Sequence, residues 1–159
     1  MSFLDLLFKR KLQENDPVQK ELDYNGIAID IEWPAGSIRK YPDMEKHMKY
    51  NYGYIRNTDS EDSEEIDIYY SGDPDPSLTV FKLKQLGFAE ESTKDSPKTN
   101  YKFDEWKYML GFKTRLDAAK AYVESMPPCA FGGIVDEYSL DEFKTIINKN
   151  KKETSSSSK

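Results

Sequence analysis

Between residues 27 and 112 the chain repeats one pattern: short stretches of alternating apolar and polar residues, separated by turn-forming residues. In IAIDIEW, residues 27–33, Ile27, Ile29, Ile31 and Trp33 fall on one side of an extended strand, with Ala28, Asp30 and Glu32 on the other. Pro34, Ala35 and Gly36 end it in a turn, and SIRKY reads as a second, shorter strand. YNYGYI, IDIYY (66–70) and LTVFKLK (78–84) continue the series, with SGDPDPS as the turn between the last two. In YKFDEWKYMLGF the same period puts Trp106, Tyr108 and Leu110 on one face, and Glu105, Lys107 and Met109 on the other. Consecutive short strands leave unpaired edges unless they close or stack, which predicts a small barrel or sandwich.

Beyond residue 112 the period changes. RLDAAKAYVESM carries Leu116, Ala119, Val123 and Met126 at helical spacing, with Thr114 as N-cap and Pro127 and Pro128 as the stop. Ser139 and Glu142 form a capping-box pair that opens a second helix through Phe143, Ile146 and Ile147. The expected fold class is α+β: a small antiparallel β-barrel with two C-terminal helices packed against it. At the other end, MSFLDLLFKRKLQ reads as an amphipathic N-terminal helix over residues 1–14, fit to dock on its own domain, on a partner or on a lipid surface. The main domain is expected over residues 22–148, and the serine- and lysine-rich residues 149–159 as a disordered polar tail.

The net charge of −6 over 159 residues lacks the positive field that nonspecific nucleic-acid binding needs. One cysteine, Cys129, excludes an internal disulfide framework and a cysteine-based zinc site, and one histidine, His47, excludes a multi-histidine site within the chain. No stretch approaches the ~20 apolar residues of a membrane span. A reducing, cytoplasmic setting fits this composition, and a virion interior fits it equally.

Against that background the acids of residues 59–67 stand out: Asp59, Glu61, Asp62, Glu64, Glu65 and Asp67 repel one another at short range unless solvent or a cation screens them. Hard divalent cations take one or two carboxylates plus water and substrate phosphates. Asp62, Glu64 and Asp67 lie where a loop meets a strand, and Glu105 can reach them across a sheet with Lys107 on its own face. Glu32 and Arg39 flank a turn and add another acid and another cation. Carboxylates, bases and tyrosines in that mixture suit metal-assisted phosphoryl transfer. A solvated acidic loop with weak surface ion pairs explains the same residues without any ligand. The run lacks the glycine and ligand register of an EF-hand, and FGGIV is too short for a phosphate loop.

The order of the blocks IEWPAGSIRK, YNYGYI, DSEEID and FDEWKYMLGF, then DAAKAYV, AFGGI and DEFKTII, resembles the soluble inorganic pyrophosphatase family of the single-barrel, magnesium-dependent type. It most closely resembles the short, diverged pyrophosphatase-like domain of bacteriophage proteins. The likeness spans residues 29–147 and implies an OB-like barrel that hydrolyses pyrophosphate or a small phosphorylated substrate with a water activated by Mg²⁺, or by Mn²⁺ in its place. By the same likeness Glu32, Asp62, Asp67 and Glu105 fall on metal-ligand positions. Glu64 falls on the carboxylate that positions or deprotonates the water, and Arg39, Lys107 and Tyr52 fall on phosphate contacts.

Three departures bear on chemistry. Glu64 and Glu105 are each one methylene longer than the aspartates of the family pattern, Asn100 stands where the family has an aspartate, and the family's later tyrosine–lysine pair has no clear match after residue 115. Two functions therefore compete: a pyrophosphatase, or a module that kept the fold, lost the chemistry and serves as a phage structural or accessory binding protein through residues 1–12.

Overall fold

The computed structural model describes residues 18–41, 44–58, 65–88 and 101–151. The expected N-terminal helix, together with Asp62, Glu64 and Asn100, lies outside the described residues.

Among the described residues nine strands and two α-helices follow one another: β1 (Lys20–Tyr24), β2 (Ile27–Trp33), β3 (Ile38–Tyr41), β4 (Met44–His47), β5 (Asn51–Ile55), β6 (Ile66–Tyr70), β7 (Val80–Phe88), β8 (Tyr101–Leu110), α1 (Arg115–Ser125), β9 (Phe131–Tyr138) and α2 (Leu140–Lys149). Seven strands form one sheet in the order β1-β2-β5-β6-β8-β7-β9, and β3 and β4 pair separately. The α+β class is borne out; the purely antiparallel barrel is not seen. Among the described residues the sheet is open, with β1 and β9 at its ends, and it is mixed. β8 inserts between β6 and β7, pairing parallel with β6 and antiparallel with β7.

Each face of the sheet buries an apolar layer. Ile27, Ile29 and Ile31 of β2, Ile55 of β5, Ile68 of β6 and Tyr108 of β8 meet Phe143 and Ile147 of α2 on one face. On the other, Tyr52, Tyr69, Leu83 and Met109 pack beneath Ala118, Ala121 and Tyr122 of α1. Of the expected Leu116–Ala119–Val123–Met126 stripe of α1, Met126 and Val123 join this layer, whereas Leu116 is 67 % exposed and Ala118, Ala121 and Tyr122 take the inward side instead. Alanines let the helix approach the sheet, and Tyr122 fills the remaining space edge-on to Tyr69, with ring centroids 5.9 Å apart.

The strand expectation for β2 holds in extent but not in its last residue. The register with β5 slips between Ile31 and Trp33, leaving Glu32 as the extra residue of a bulge. A bulge reverses the alternation beyond it, so Trp33 joins the α1 face instead of the isoleucine face. At the same place Gly53 of β5 lies against β2 so closely that a Cβ would overlap the Asp30 carbonyl and come within 2.8 Å of the Ile31 Cα.

β1, β4 and β9 carry no clear strand pattern in the sequence, and β7 begins at Val80 and runs on to Phe88, beyond the expected 78–84. β9 is glycine-rich because its backbone crowds β7: a Cβ on Gly132 would stand 2.8 Å from the Lys84 carbonyl, and Gly133 has φ +106°. The helix starts are as expected. Thr114 Oγ1 accepts from the Asp117 N–H at 3.0 Å, and both bonds of the Ser139–Glu142 capping box are present. Lys149 still belongs to α2 and Lys151 bridges to Thr58, and the rest of the expected polar tail, 152–159, lies outside the described residues.

Candidate active site

β5, β6 and β8 lie side by side in the sheet, and on the α1 face their alternation brings Tyr52, Asp67, Glu105 and Lys107 together. The Lys107 side chain, 2 % exposed, is the centre of the group. Its Nζ donates to Tyr52 Oη at 2.7 Å, Asp67 Oδ2 at 2.9 Å and Glu105 Oε1 at 2.5 Å. Three donors and three acceptors leave the ammonium fully satisfied.

The charges are set by burial and proximity. Burial is the largest influence on Asp67 and pushes its pKa well above the usual carboxyl range; Lys107 opposes this and Glu105 adds to it. Burial raises Glu105 too, but Lys107 and a hydrogen bond from Asp67 prevail and hold it below the ordinary value. Lys107 is disfavoured as a cation by burial, yet the flanking Asp67 and Glu105 carry its pKa well above normal. The three groups are thus coupled: burial favours the neutral form of Asp67, while Lys107 and the hydrogen bond with Asp67 favour the carboxylate of Glu105. Burial also raises the Tyr52 phenol well above its usual value, so it stays neutral.

Arg39 enters from the β3–β4 pair. Its guanidinium lies 5.2 Å from the centroids of both the Trp33 and Tyr52 rings, while Lys107 Nζ is 5.0 Å from the Tyr52 centroid. Tyr52 therefore interacts with two cations, with Arg39 through its ring and with Lys107 through its hydroxyl as well. The bulge at Glu32 is what carries Trp33 to this side and completes the stack.

Of the expected site residues, Arg39, Tyr52, Asp67, Glu105 and Lys107 are brought together. Glu32 stands with Asp30 and Glu65 around Tyr54, the register partner of Asp67, and the Tyr54 phenol is pushed up to about 12, by burial first and then by these carboxylates. β2 lies two strands from β6, roughly 10 Å at the usual strand spacing. Asp62 and Glu64 lie outside the described residues.

Two polar networks escape sequence reasoning. Arg56 grips Asp30 with Nη2 at 2.6 Å and Nε at 3.1 Å, fixing the carboxylate beside Tyr54. Tyr122 Oη donates to Gln85 Oε1 at 2.6 Å, and Gln85 Nε2 donates to Asp104 Oδ2 at 3.0 Å, a buried chain beside Glu105, whose register partner is Gln85. Alternation placed Asp30 on a polar face, but nothing local points to Arg56, 26 positions on.

The donor set can be tested against a divalent cation. No group of three or more histidine, cysteine or carboxylate side chains converges among the described residues. Asp67 and Glu105 do converge, are oxygen donors, and keep 23 % and 22 % of their side-chain surface open. One or two carboxylates completed by water and phosphate is what Mg²⁺ takes from proteins, so this pair fits.

A family model described as Inorganic Pyrophosphatase matches residues 10–148, and the chain belongs to that family, whose chemistry is phosphoanhydride hydrolysis, generally with Mg²⁺. No curated protein and no solved structure gives a match.

Proposed function

We propose that this member of the inorganic pyrophosphatase family hydrolyses pyrophosphate or a related small phosphoanhydride by attack of water at phosphorus, with Mg²⁺ or Mn²⁺ as cofactor. The observation that supports this most is the convergence of Asp67 and Glu105 on one buried lysine, with Tyr52 and Arg39 alongside. In this reading Asp67 and Glu105 hold the cation, joined by Asp62 and Glu32 on the strength of the family likeness, and Glu64 serves as base toward the water. A divalent ion bound there supplies a water of lowered pKa and neutralises charge on the phosphate oxygens.

The chain's own residues have definable tasks. Asp67 must release its proton before it serves as a ligand. Lys107 has all three N–H donors engaged, so it takes a phosphate oxygen only by giving up its bond to Tyr52, Asp67 or Glu105. Arg39 supplies positive charge beside the same carboxylates, where charge develops on the transferring group.

The test is phosphate release from pyrophosphate with Mg²⁺ and with Mn²⁺, in the wild-type chain and in Asp67→Ala. Metal-dependent release that is lost in a folded variant supports the assignment, and equal turnover in the two overturns it.

One observation favours a second reading, a pyrophosphatase-fold binding module. The Lys107–Glu105–Asp67 group is satisfied by its own hydrogen bonds, with no third carboxylate among the described residues. In that case residues 1–12 attach the chain to a partner such as a phage protein, and deleting them removes the association.

A further inference from the structure

A cavity of about 490 Å³ opens where the last turns of α2 meet the ends of β2 and β5. That volume lies within the range of small-molecule sites, roughly 300–1,000 Å³. Among the described residues its charged lining groups are Arg56, Lys144 and Lys151, none of them acidic, on a chain whose net charge is −6. Lys144, Ile147, Asn148 and Lys151 recur at the spacing that keeps residues on one side of a helix, so α2 and the residue just beyond its end present two lysines and an amide to the same space. Ile27, Ile55 and Ile147 form an apolar floor.

We infer that this cavity is a binding site for a phosphorylated small molecule, with the phosphate held by Lys144 and Lys151 and the body of the ligand over the isoleucine floor. Three observations carry the inference. Among the described residues neither Lys144 nor Lys151 has a side-chain hydrogen bond or ion pair, whereas Lys107, Arg56 and Arg115 are all paired with carboxylates. Helix C-termini favour nearby cations, which accounts for Lys149 and Lys151 but not for Lys144, halfway along α2. The Lys144 amine lies over Gly26 of the β1–β2 turn, 3.7 Å from where a Cβ would stand, so it is directed across the cavity toward the turn and not along the helix.

Arg56 is a secondary contributor, because its guanidinium already serves Asp30 and lies 3.5 Å from Glu21. The amides of Asn57 and Asn148 add neutral donors. None of these residues belongs to the Lys107 group, so the inference is independent of whether that group is catalytic.

The test is amide NMR of the full chain titrated with ATP in EDTA at near-physiological salt, with inorganic phosphate in a parallel titration. Saturable shifts at Gly26, Asn57 and Asn148 are expected. Binding should weaken by about tenfold or more in K144Q/K151Q, the loss expected of charge-assisted bonds. Inorganic phosphate should bind the same amides more weakly than ATP, for want of contact with the isoleucine floor. The spectrum of the variant away from the cavity should be unchanged, since both substitutions reach solvent. Absence of saturable shifts, shifts confined to the surroundings of Arg39, Tyr52 and Lys107, equal affinity in the variant, or phosphate binding as tight as ATP would each overturn the inference.

Discussion

Lys107 Nζ stands 2.9 Å from Asp67 Oδ2 although the two residues are 40 positions apart. The parallel pairing of Ile68 with Tyr108, carried back one position, sets Asp67 beside Lys107 on the same face. The ammonium is thereby part of the sheet's interior and not a mobile surface charge. Removing it takes the ammonium away from both Asp67 and Glu105 in a largely desolvated place. Lys107→Met should cost about 3 kcal/mol or more in urea unfolding, as expected for one half of a buried ion pair. An unchanged unfolding midpoint would mean that the carboxyls are hydrated and that Lys107 has little structural role.

The Tyr24 hydroxyl is buried and makes no hydrogen bond among the described residues, while its ring packs edge-on against Tyr70 at 5.1 Å. Tyr24→Phe keeps the ring contact and removes a desolvated polar group, so stability should rise by about 1 kcal/mol. A lower melting temperature in the variant would show that the hydroxyl has a partner after all.

The same phenol gives a pH dependence. Burial, with Tyr70, Asp73 and Asp75 adding to it, pushes Tyr24 up to about 12. An unfolded tyrosine ionises near 10, so the contribution is fully present below about pH 10. Between about 10 and 12 the unfolded chain ionises first, and this part of the stability is lost. Unfolding free energy should therefore fall over that window with a shallower slope in Tyr24→Phe than in the wild type. Identical slopes would contradict the assignment.

Gly53 has a different role, that of admitting the β2 backbone at the bulge. Gly53→Ala pushes a methyl against the Asp30 carbonyl and the Ile31 Cα, neither of which can swing aside as a side chain does. A loss of about 3 kcal/mol is expected, at the upper end of overpacking costs. The Trp33–Arg39–Tyr52 stack should loosen with it, which tryptophan fluorescence would report. A variant with wild-type stability and emission would contradict this account of the bulge.

The parts of the fold legible in the sequence are those governed by local physics. Ile27, Ile29 and Ile31 alternate with polar or small residues because β2 sets them in one apolar layer, and Ser139 and Glu142 satisfy backbone donors only a few residues away. Asp67, Glu105 and Lys107 were identifiable because acids and a base at alternate positions of strands with apolar partners need a reason. What was not legible depends on contacts made at a distance. Whether Trp33 faces the isoleucines or Arg39 is decided by a bulge against β5. Which side of α1 turns inward is decided by how close the sheet lets it come, which favours Ala118 and Ala121 over Leu116. Glycines in β9 look like a loop until β7 is placed beside them.

The most direct measurement is ³¹P NMR of pyrophosphate in H₂¹⁸O with the purified chain and Mg²⁺ or Mn²⁺, beside Asp67→Ala. The account predicts metal-dependent conversion to orthophosphate, one ¹⁸O entering per anhydride cleaved, and no conversion in the folded variant. A pyrophosphate signal that persists with either metal and a folded wild-type chain would contradict it.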